Sequence, residues 1–196
     1  MGDMQSMKAK QKKSLIASHV KEIMKILGYN LNNEHLRKTP ARFARIFFDE
    51  LDTSKIRNKK TLKKLYSITK TEYNSMVVFR HHKTQTRCPH HLERVELDIS
   101  VGYIPNGRLI GLSKLGRIAD YFSQGLMLQE EIAEMIANGI QNALKPKGVG
   151  VCIKAEHGCI KCRGLESKDS DVITSEMRGV FLEDLGTRTE FLQCLK

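Results

Sequence analysis

The chain has 196 residues, of which 40% are hydrophobic and 28% charged, an ordinary composition for a globular protein with a sizeable core. It contains neither a run long enough for a membrane span nor a secretion signal, so we expect a cytoplasmic protein. The formal net charge of +11 indicates a polyanionic partner, either nucleic acid or a small phosphorylated substrate. Nucleic acid is the less favoured partner, because no aromatic residues interleave the basic clusters.

The first third of the chain is predicted to be helical and basic. Apolar residues at helical spacing predict one helix that begins at Ser14, as its cap, and stops at Gly28. Thr39, as cap, and Pro40, as first helical residue, predict a second helix that continues to about Leu51. The lysine-rich residues 53–70 show no clear period, and we expect them to form a solvated linker.

Two strands are predicted in the next part of the chain. Residues 94–103 alternate strictly between polar and apolar side chains, the pattern of a strand with one buried face. The apolar run at residues 76–79 predicts a short buried strand before it. A turn at residues 105–107 predicts a return strand that begins at Leu109 and Ile110.

Two helices are predicted to follow these strands. Apolar residues at helical spacing indicate helices over residues 113–122 and 128–144, and the alternation over residues 149–155 indicates another strand. Thr187 and Glu190 predict a capping box for a C-terminal helix. This order indicates an α+β fold, mostly an antiparallel sheet with helices on one face.

The motif CPHH at residues 88–91 places a thiolate and two imidazoles directly before the clearest strand. Cys88 and His91 have a spacing at which both can bind one tetrahedral zinc ion. The missing ligand should come from the motif HGCIKC at residues 157–162, in which Cys159 is the preferred donor. Three ligands would leave the fourth position of Zn²⁺ open to water, whose pKa the ion lowers to about 7.

Cys162 leaves a second arrangement open. Together with Cys159 it forms a C-x-x-C that could close a structural site with four ligands and no water. Continued strand alternation would place His157 and Cys159 on one face and Cys162 on the other, which favours the open site. His90 and His157 adjoin the proposed ligands and suit proton transfer near neutral pH.

A second group of residues is suited to binding an anion. Ser113, Lys114 and Arg117 lie at a predicted helix N-terminus, where free backbone N–H groups favour negative charge. Arg163, close to the proposed zinc ligands, could join them, and together they predict binding of a triphosphate. The carboxylate of the QE pair at residues 129–130 matches the adjacent N–H donors of guanine.

Several motifs occur together and in order. They are CPHH at residues 88–91, GYIP at 102–105, IGLSKLGR at 110–117, QE at 129–130 and HGCIKCRG at 157–164. With TPAR at residues 39–42 and the closing segment 175–192, this combination resembles the GTP cyclohydrolase I family. The resemblance covers nearly the whole chain from Ser14 onward, and the combined pattern is highly specific.

The resemblance implies a tunnelling-fold catalytic domain over residues 71–196, preceded by a helical arm and basic linker over residues 1–70. It also implies a homodecamer with active sites at subunit interfaces, zinc as cofactor, and conversion of GTP and water to formate and 7,8-dihydroneopterin triphosphate. By position, the site residues would be the zinc ligands Cys88, His91 and Cys159, the proton carriers His90 and His157, the ribose and guanine contacts Gln129 and Glu130, and the triphosphate contacts Ser113, Lys114, Arg117, Arg163 and, from a neighbouring subunit, Arg42.

Two other functions stay open. The charge and the C-x-x-C are also typical of a basic zinc module that binds nucleic acid, in which all four metal ligands would be protein side chains. Pro89, where glutamate is frequent in the family, and residues 125–127, where Arg-Pro is usual, leave open a relative with an altered substrate or without activity.

Overall fold

The computed structural model of the protein describes residues 7–52, 59–162 and 169–196. The chain divides into two compact units, Met1–Asp52 and Thr53–Lys196. Within the described residues, no helix is both long and apolar enough to cross a lipid bilayer.

Helices and strands alternate along the described chain. In chain order they are α1 (Ala9–Ile26), α2 (Thr39–Leu51), α3 (Lys59–Leu65), β1 (Ile68–Lys70), β2 (Val77–Arg87), β3 (Arg94–Ile104), β4 (Arg108–Ile110), α4 (Leu112–Ser123), α5 (Gln129–Leu144), β5 (Gly148–His157), α6 (Gly158–Lys161), β6 (Val172–Gly179), α7 (Val180–Glu183) and α8 (Leu185–Gln193). The first unit thus holds α1 and α2, and the second holds all the strands.

The helices of the first unit are tied together by a lysine. Lys13 Nζ lies 2.6 Å from Asp49 Oδ1 and 5.1 Å from the centre of the Phe48 ring, so one side chain of α1 contacts two of α2. The predicted start of α1 at Ser14 is wrong, because the helix already begins at Ala9 with residues of good helix propensity. Helix α2 ends at Leu51 as predicted, but it begins one residue early, at Thr39, with Lys38 rather than Thr39 as its N-cap.

The second unit is built on a four-stranded antiparallel sheet in the order β2-β3-β5-β6. The apolar residues of β3 and β5 that alternate in the sequence are at most 1% exposed, and they pack against the long helices α4 and α5. Burying such side chains contributes about 1.5–3 kcal/mol each, which fixes the register of both strands. The predicted α+β fold, with an antiparallel sheet and the two long helices on one face, is confirmed.

The short helices α7 and α8 bring two phenylalanines onto the opposite face of the sheet. Phe181 and Phe191 are fully buried, with ring centres 5.4 Å apart and planes at 79°. Gly102 and Gly150 are register partners in β3 and β5, and a Cβ added to them would lie 2.6 Å from Phe191 and 2.7 Å from Phe181, respectively. The absent side chains of the two glycines make room for the aromatic pair.

Strand β2 is much longer than the predicted strand over residues 76–79. The polar residues that follow continue it to Arg87, because at the edge of this sheet they pair only with β3. A register shift between Phe79 and His82 marks a bulge, where His81 has a φ of 59°.

Two local predictions were wrong. The basic stretch predicted as a linker contains α3 and β1, and Leu65 of α3 is only 9% exposed in the core. Two leucines among lysines were too weak a pattern to predict this helix. The C-terminal helix α8 is capped by Asp184 rather than by Thr187 and Glu190, since Asp184 Oδ2 accepts from the Thr187 N–H at 2.6 Å.

Candidate metal centre and active site

The turn between β2 and β3 carries the first two predicted metal ligands. Two hydrogen bonds close this turn: the Cys88 N–H donates to the Glu93 carbonyl, and the Leu92 N–H donates to the Cys88 carbonyl, both at 2.9 Å. Neither bond needs an N–H from position 89. Pro89, which has no N–H and whose ring fixes its own φ, therefore fits this turn. The turn places Cys88 Sγ 3.7 Å from His91 Nδ1.

Cys159 reaches the same place from the end of β5. The strand ends at His157, and Cys159 lies in the single turn of α6, so the alternation argument that favoured Cys159 is wrong. The residue itself is nevertheless in place, because ligand atoms of Cys88, His91 and Cys159 all lie within 4.8 Å of one another. Cys162 is exposed and is not a member of this group, which is the one found among the described residues.

The three side chains fit a zinc ion. Thiolate and neutral imidazole are preferred zinc donors, and a tetrahedral site with Zn–S near 2.3 Å and Zn–N near 2.0 Å separates the two donor atoms by roughly 3.6 Å. The separation of 3.7 Å between Cys88 Sγ and His91 Nδ1 matches that value. Three protein ligands leave one position for water or substrate, the pattern of a catalytic rather than a structural zinc site.

Gly158 is a site residue that the sequence analysis missed. A Cβ at this position would lie 2.9 Å from the carbonyl oxygen of Arg94, at the start of β3. Only a residue without a side chain lets the turn of α6 pack this closely against the backbone, and the turn carries Cys159. Its signal in the sequence was a glycine directly before a candidate ligand.

His90 lies beside the candidate ligands, as predicted. Its Nδ1 is 3.8 Å from Cys88 Sγ, and its ring centre is 6.2 Å from that of His91. His90 is exposed and does not belong to the group of three mutually close ligand atoms. It therefore lies at the solvent-exposed edge of the candidate metal centre.

His157, Gln129 and Glu130 form the second part of the same site. His157 Nε2 lies 3.0 Å from Gln129 Oε1, and Gln129 is only 4% exposed at the start of α5. Burial lowers the pKa of His157 below its ordinary value, and the nearby carboxylate of Glu130 partly opposes this. His157 is thus a neutral imidazole near pH 7, while the exposed Glu130 carboxylate stays available to a ligand.

Residues 125–127 connect α4 to this site. The Arg87 N–H donates to the Gly125 carbonyl and the Met127 N–H donates to the Arg87 carbonyl, both at 3.4 Å. Gly125 has a φ of 101°, which favours glycine. The segment that differs from the usual Arg-Pro therefore runs beside the residue that precedes Cys88, and it leads directly into the helix of Gln129.

Of the predicted anion-binding residues, Ser113 and Lys114 lie toward the other end of the sheet. Ser113, Lys114 and Arg117 are in the first turns of α4, and the preceding Ile110 N–H donates to Tyr103 Oη at 3.3 Å. Tyr103 is near the end of β3, whereas the metal ligands surround its start, about 27 Å away along the strand. The start of α4 is therefore distant from the candidate metal ligands within one chain, whereas Arg117 lies nearer the middle of the sheet, because a Cβ at the adjacent Gly116 would lie 3.0 Å from His82, the partner of Ile99.

Two predicted site residues are not placed relative to these groups. Arg42 is exposed in α2, within the first unit. Arg163 lies outside the described residues.

Comparison with known proteins identifies relatives along most of the chain. The sequence profile described as GTP cyclohydrolase I matches residues 16–196. GTP cyclohydrolase 1 of Histophilus somni is 34% identical over 187 residues, covering 95% of this chain and 85% of the relative. GTP cyclohydrolase 1 of Coxiella burnetii is 37% identical over 181 residues, covering 92% of this chain and 97% of the relative.

A solved structure of the apo archaeosine synthase QueF-Like is also similar to this chain. Its TM-score is 0.44 at 20% sequence identity, and the match covers 56% of this chain and 97% of that one. A likeness at this level is too weak to bear on function.

Proposed function

The chain belongs to the GTP cyclohydrolase I family of hydrolases, and on that premise we propose that it converts GTP and water to formate and 7,8-dihydroneopterin triphosphate. The observation that carries the proposal is the convergence of Cys88, His91 and Cys159 within 4.8 Å, with Cys159 only two residues after the half-buried imidazole of His157. In this reaction two waters hydrolyse the imidazole ring so that C8 of guanine leaves as formate, and closure of the pterin ring releases one water, so that one water is consumed overall.

Cys88, His91 and Cys159 would hold a zinc ion. Zinc in such a site supplies Lewis acidity, which makes water nucleophilic at neutral pH. The protein side chains handle the protons: the neutral imidazole of His157 can accept one as water adds at C8 and return it to the departing ring nitrogen. His90, exposed beside Cys88, would exchange protons with solvent.

Glu130 is the proposed guanine contact. Its carboxylate is exposed at the start of α5 and offers two acceptors to the N1 and N2 donors of the base. Gln129, the neighbouring residue, was assigned to the ribose by family position. The proposed triphosphate contacts are Ser113, Lys114, Arg117, Arg163 and Arg42.

The separation of these groups supports a homo-oligomer. About 27 Å of strand β3 lies between the candidate metal ligands and the start of α4 in one chain, which favours an active site that draws residues from two copies. We propose that the assembly is the decamer of the family, and that the protein works in the cytoplasm, where its five unpaired cysteines suit a reducing environment.

Substrate selectivity tests this proposal. Purified zinc-loaded protein should turn over GTP to a product that fluoresces as a pterin after oxidation, while ATP, which lacks the N1 and N2 donors, should remain unchanged. Glu130→Gln should raise KM for GTP at least roughly tenfold, because an amide replaces one acceptor of guanine with a donor. Equal turnover of ATP and GTP would contradict the assignment of Glu130.

The alternative of a basic zinc module that binds nucleic acid makes a different prediction about Cys162. Cys162 is exposed and outside the group of close ligand atoms, so Cys162→Ala should retain one zinc per chain after dialysis against a weak chelator. Cys159→Ala, the matched control, should lose the metal. Zinc loss from Cys162→Ala, measured by atomic absorption, would instead support the closed site of the alternative.

A further inference from the structure

Gln129 is buried at the first position of α5, and all of its amide hydrogens are used. Its side-chain nitrogen donates to the Ile153 carbonyl at 3.1 Å and to the Val172 carbonyl at 3.0 Å, and the residue is 4% exposed. Because both carbonyls can only accept, the amide nitrogen must face them, and the amide oxygen must face His157. The orientation of the amide is thereby fixed by β5 and β6.

This orientation decides which nitrogen of His157 carries a proton. Gln129 Oε1 lies 3.0 Å from His157 Nε2, and a carbonyl oxygen only accepts hydrogen bonds. A neutral imidazole that bonds to this oxygen must therefore be protonated at Nε2. Nδ1 is then the ring atom that carries a lone pair.

We propose that Gln129 is a positioning residue: it holds His157 in the Nε2-protonated form, so that Nδ1 is the atom that exchanges a proton with the substrate. The inference rests on the proposed function, and it changes the role of Gln129 from a ribose contact to a support for the acid/base group. In each cycle Nδ1 accepts one proton and releases it to the leaving nitrogen, while the Nε2–H bond to Gln129 persists.

The two strand contacts explain how a flexible glutamine can do this. Val172 is the first residue of β6 and pairs with Ala155 of β5, and Ile153 lies further back along β5. The amide therefore bridges two paired strands close to the end of β5, where His157 lies. A side chain held at three points positions its oxygen with the rigidity that an acid/base residue needs.

Two substitutions separate positioning from a purely structural role. Gln129→Met keeps the length of the side chain but removes every hydrogen bond, whereas Gln129→Glu removes both donors and keeps an acceptor for His157. We expect Gln129→Met to lower kcat roughly 10²-fold with KM for GTP within about threefold of wild type. Gln129→Glu should retain about tenfold more kcat than Gln129→Met, because its oxygen still accepts from Nε2.

Gln141→Met is the matched control on the same helix. Its Oε1 is buried without a hydrogen-bond partner in the part of the chain that the structure describes, so this variant should keep wild-type kcat. If Gln129→Glu and Gln129→Met reduce kcat by the same factor and lower thermal stability equally, Gln129 serves only to attach α5 to the sheet. If Gln129→Met instead raises KM with kcat unchanged, the residue contacts the substrate. Either result overturns the inference.

The ring of His157 provides a readout that does not depend on turnover. In zinc-loaded protein with ¹⁵N-labelled histidine at about pH 8, where imidazole is neutral, long-range ¹H–¹⁵N spectra should show His157 protonated at Nε2. His157→Gln assigns the signal, and Gln129→Met should shift it toward the other tautomer. Wild-type protein that leaves GTP intact overturns the proposed function, whereas active wild-type protein with His157 protonated at Nδ1 overturns this inference alone.

Discussion

At the scale of single residues, the candidate metal centre depends on the absence of a side chain at Gly158 as well as on its three ligands. Gly158 lets the turn of Cys159 approach the backbone at Arg94, and no other residue type fits there without moving the turn. Cys88 and His91 are fixed differently, by a turn that two backbone hydrogen bonds close. The three ligands therefore meet only if both backbones hold their places.

Gly158→Ala should weaken zinc binding without removing a ligand. The added Cβ would lie 2.9 Å from the Arg94 carbonyl oxygen, so the turn of α6 must shift and take Cys159 with it. We expect a loss of roughly 10- to 100-fold in zinc affinity, the usual cost of disturbing the support of a metal ligand. Competition with a chromophoric chelator measures it.

Gly111→Ala is a suitable control for that variant. A Cβ at Gly111 would meet only the Lys114 side chain, at an ordinary 3.6 Å, and the position is remote from the metal ligands. Its zinc affinity should equal that of the wild type. Equal affinities for Gly158→Ala and Gly111→Ala would show that the close approach at Gly158 does not position Cys159.

The sequence singles out the candidate metal ligands but not the reasons for their positions. Cys88 and His91 could be predicted because their spacing within one turn is itself the signal. The alternation that favours Cys159 over Cys162 stops at His157, so that argument is wrong, although Cys159 does lie in the group of close ligand atoms. The hydrogen bonds of Gln129 depend on the register of β5 and β6, which no short motif encodes.

At the scale of elements, the sheet is adapted to a different neighbour on each face. One face meets the long helices through the alternating apolar residues of β3 and β5. The other accepts the aromatic pair of α7 and α8 over Gly102 and Gly150, which face each other across the two strands. The size of the side chains on each face of the sheet sets how closely the helices on that face can pack against it.

Gly102→Ala should destabilise the second unit through overpacking. The new Cβ would lie 2.6 Å from the ring of Phe191, whose side chain is fully buried, so we expect a loss of about 1–3 kcal/mol in urea unfolding. Phe191→Leu shortens the obstructing side chain. The double variant should therefore be less destabilised than the sum of the single variants, and strict additivity would contradict the packing argument.

The long elements of the second unit could be predicted and the short ones could not. The α5 bounds and the strands β3 and β5 follow from strong periodicity, because one face of each is buried. The edge strand β2 carries polar residues on both of its faces, including Thr86 at 5% exposure, and α3 has only two leucines among lysines, so neither element shows an apolar period. The bulge at His81 depends on pairing with β3, and no local sequence pattern predicts it.

At the scale of the whole molecule, the candidate metal ligands and the start of α4 occur at distant ends of one sheet. The metal ligands surround the start of β3, and the start of α4 lies beside its end, about 27 Å away. The family resemblance predicted shared active sites, and the separation within one chain supplies an independent reason for them. Sequence alone could not have given this distance, because it depends on how the chain crosses the sheet.

Mixing two inactive variants tests whether two copies share each active site. Lys114→Ala should impair triphosphate binding and His157→Ala proton transfer, so each homo-oligomer should be nearly inactive. When both are refolded together in equal amounts, random pairing gives about a quarter of the sites two intact halves, so activity per site should reach roughly a quarter of wild type. Mass spectrometry should confirm that the subunits have mixed. Mixed oligomers without recovered activity would place each site within one chain.

The central claim is that this chain hydrolyses the guanine ring of GTP with His157 beside a zinc centre. The most direct measurement is the amount of formate and of oxidised pterin released from GTP by zinc-loaded wild-type protein and by His157→Ala at equal zinc content. We predict equal amounts of formate and pterin from the wild type, and a rate reduced by roughly 10²–10⁴-fold in the variant. Intact GTP after incubation with wild-type protein that holds one zinc per chain would contradict the account.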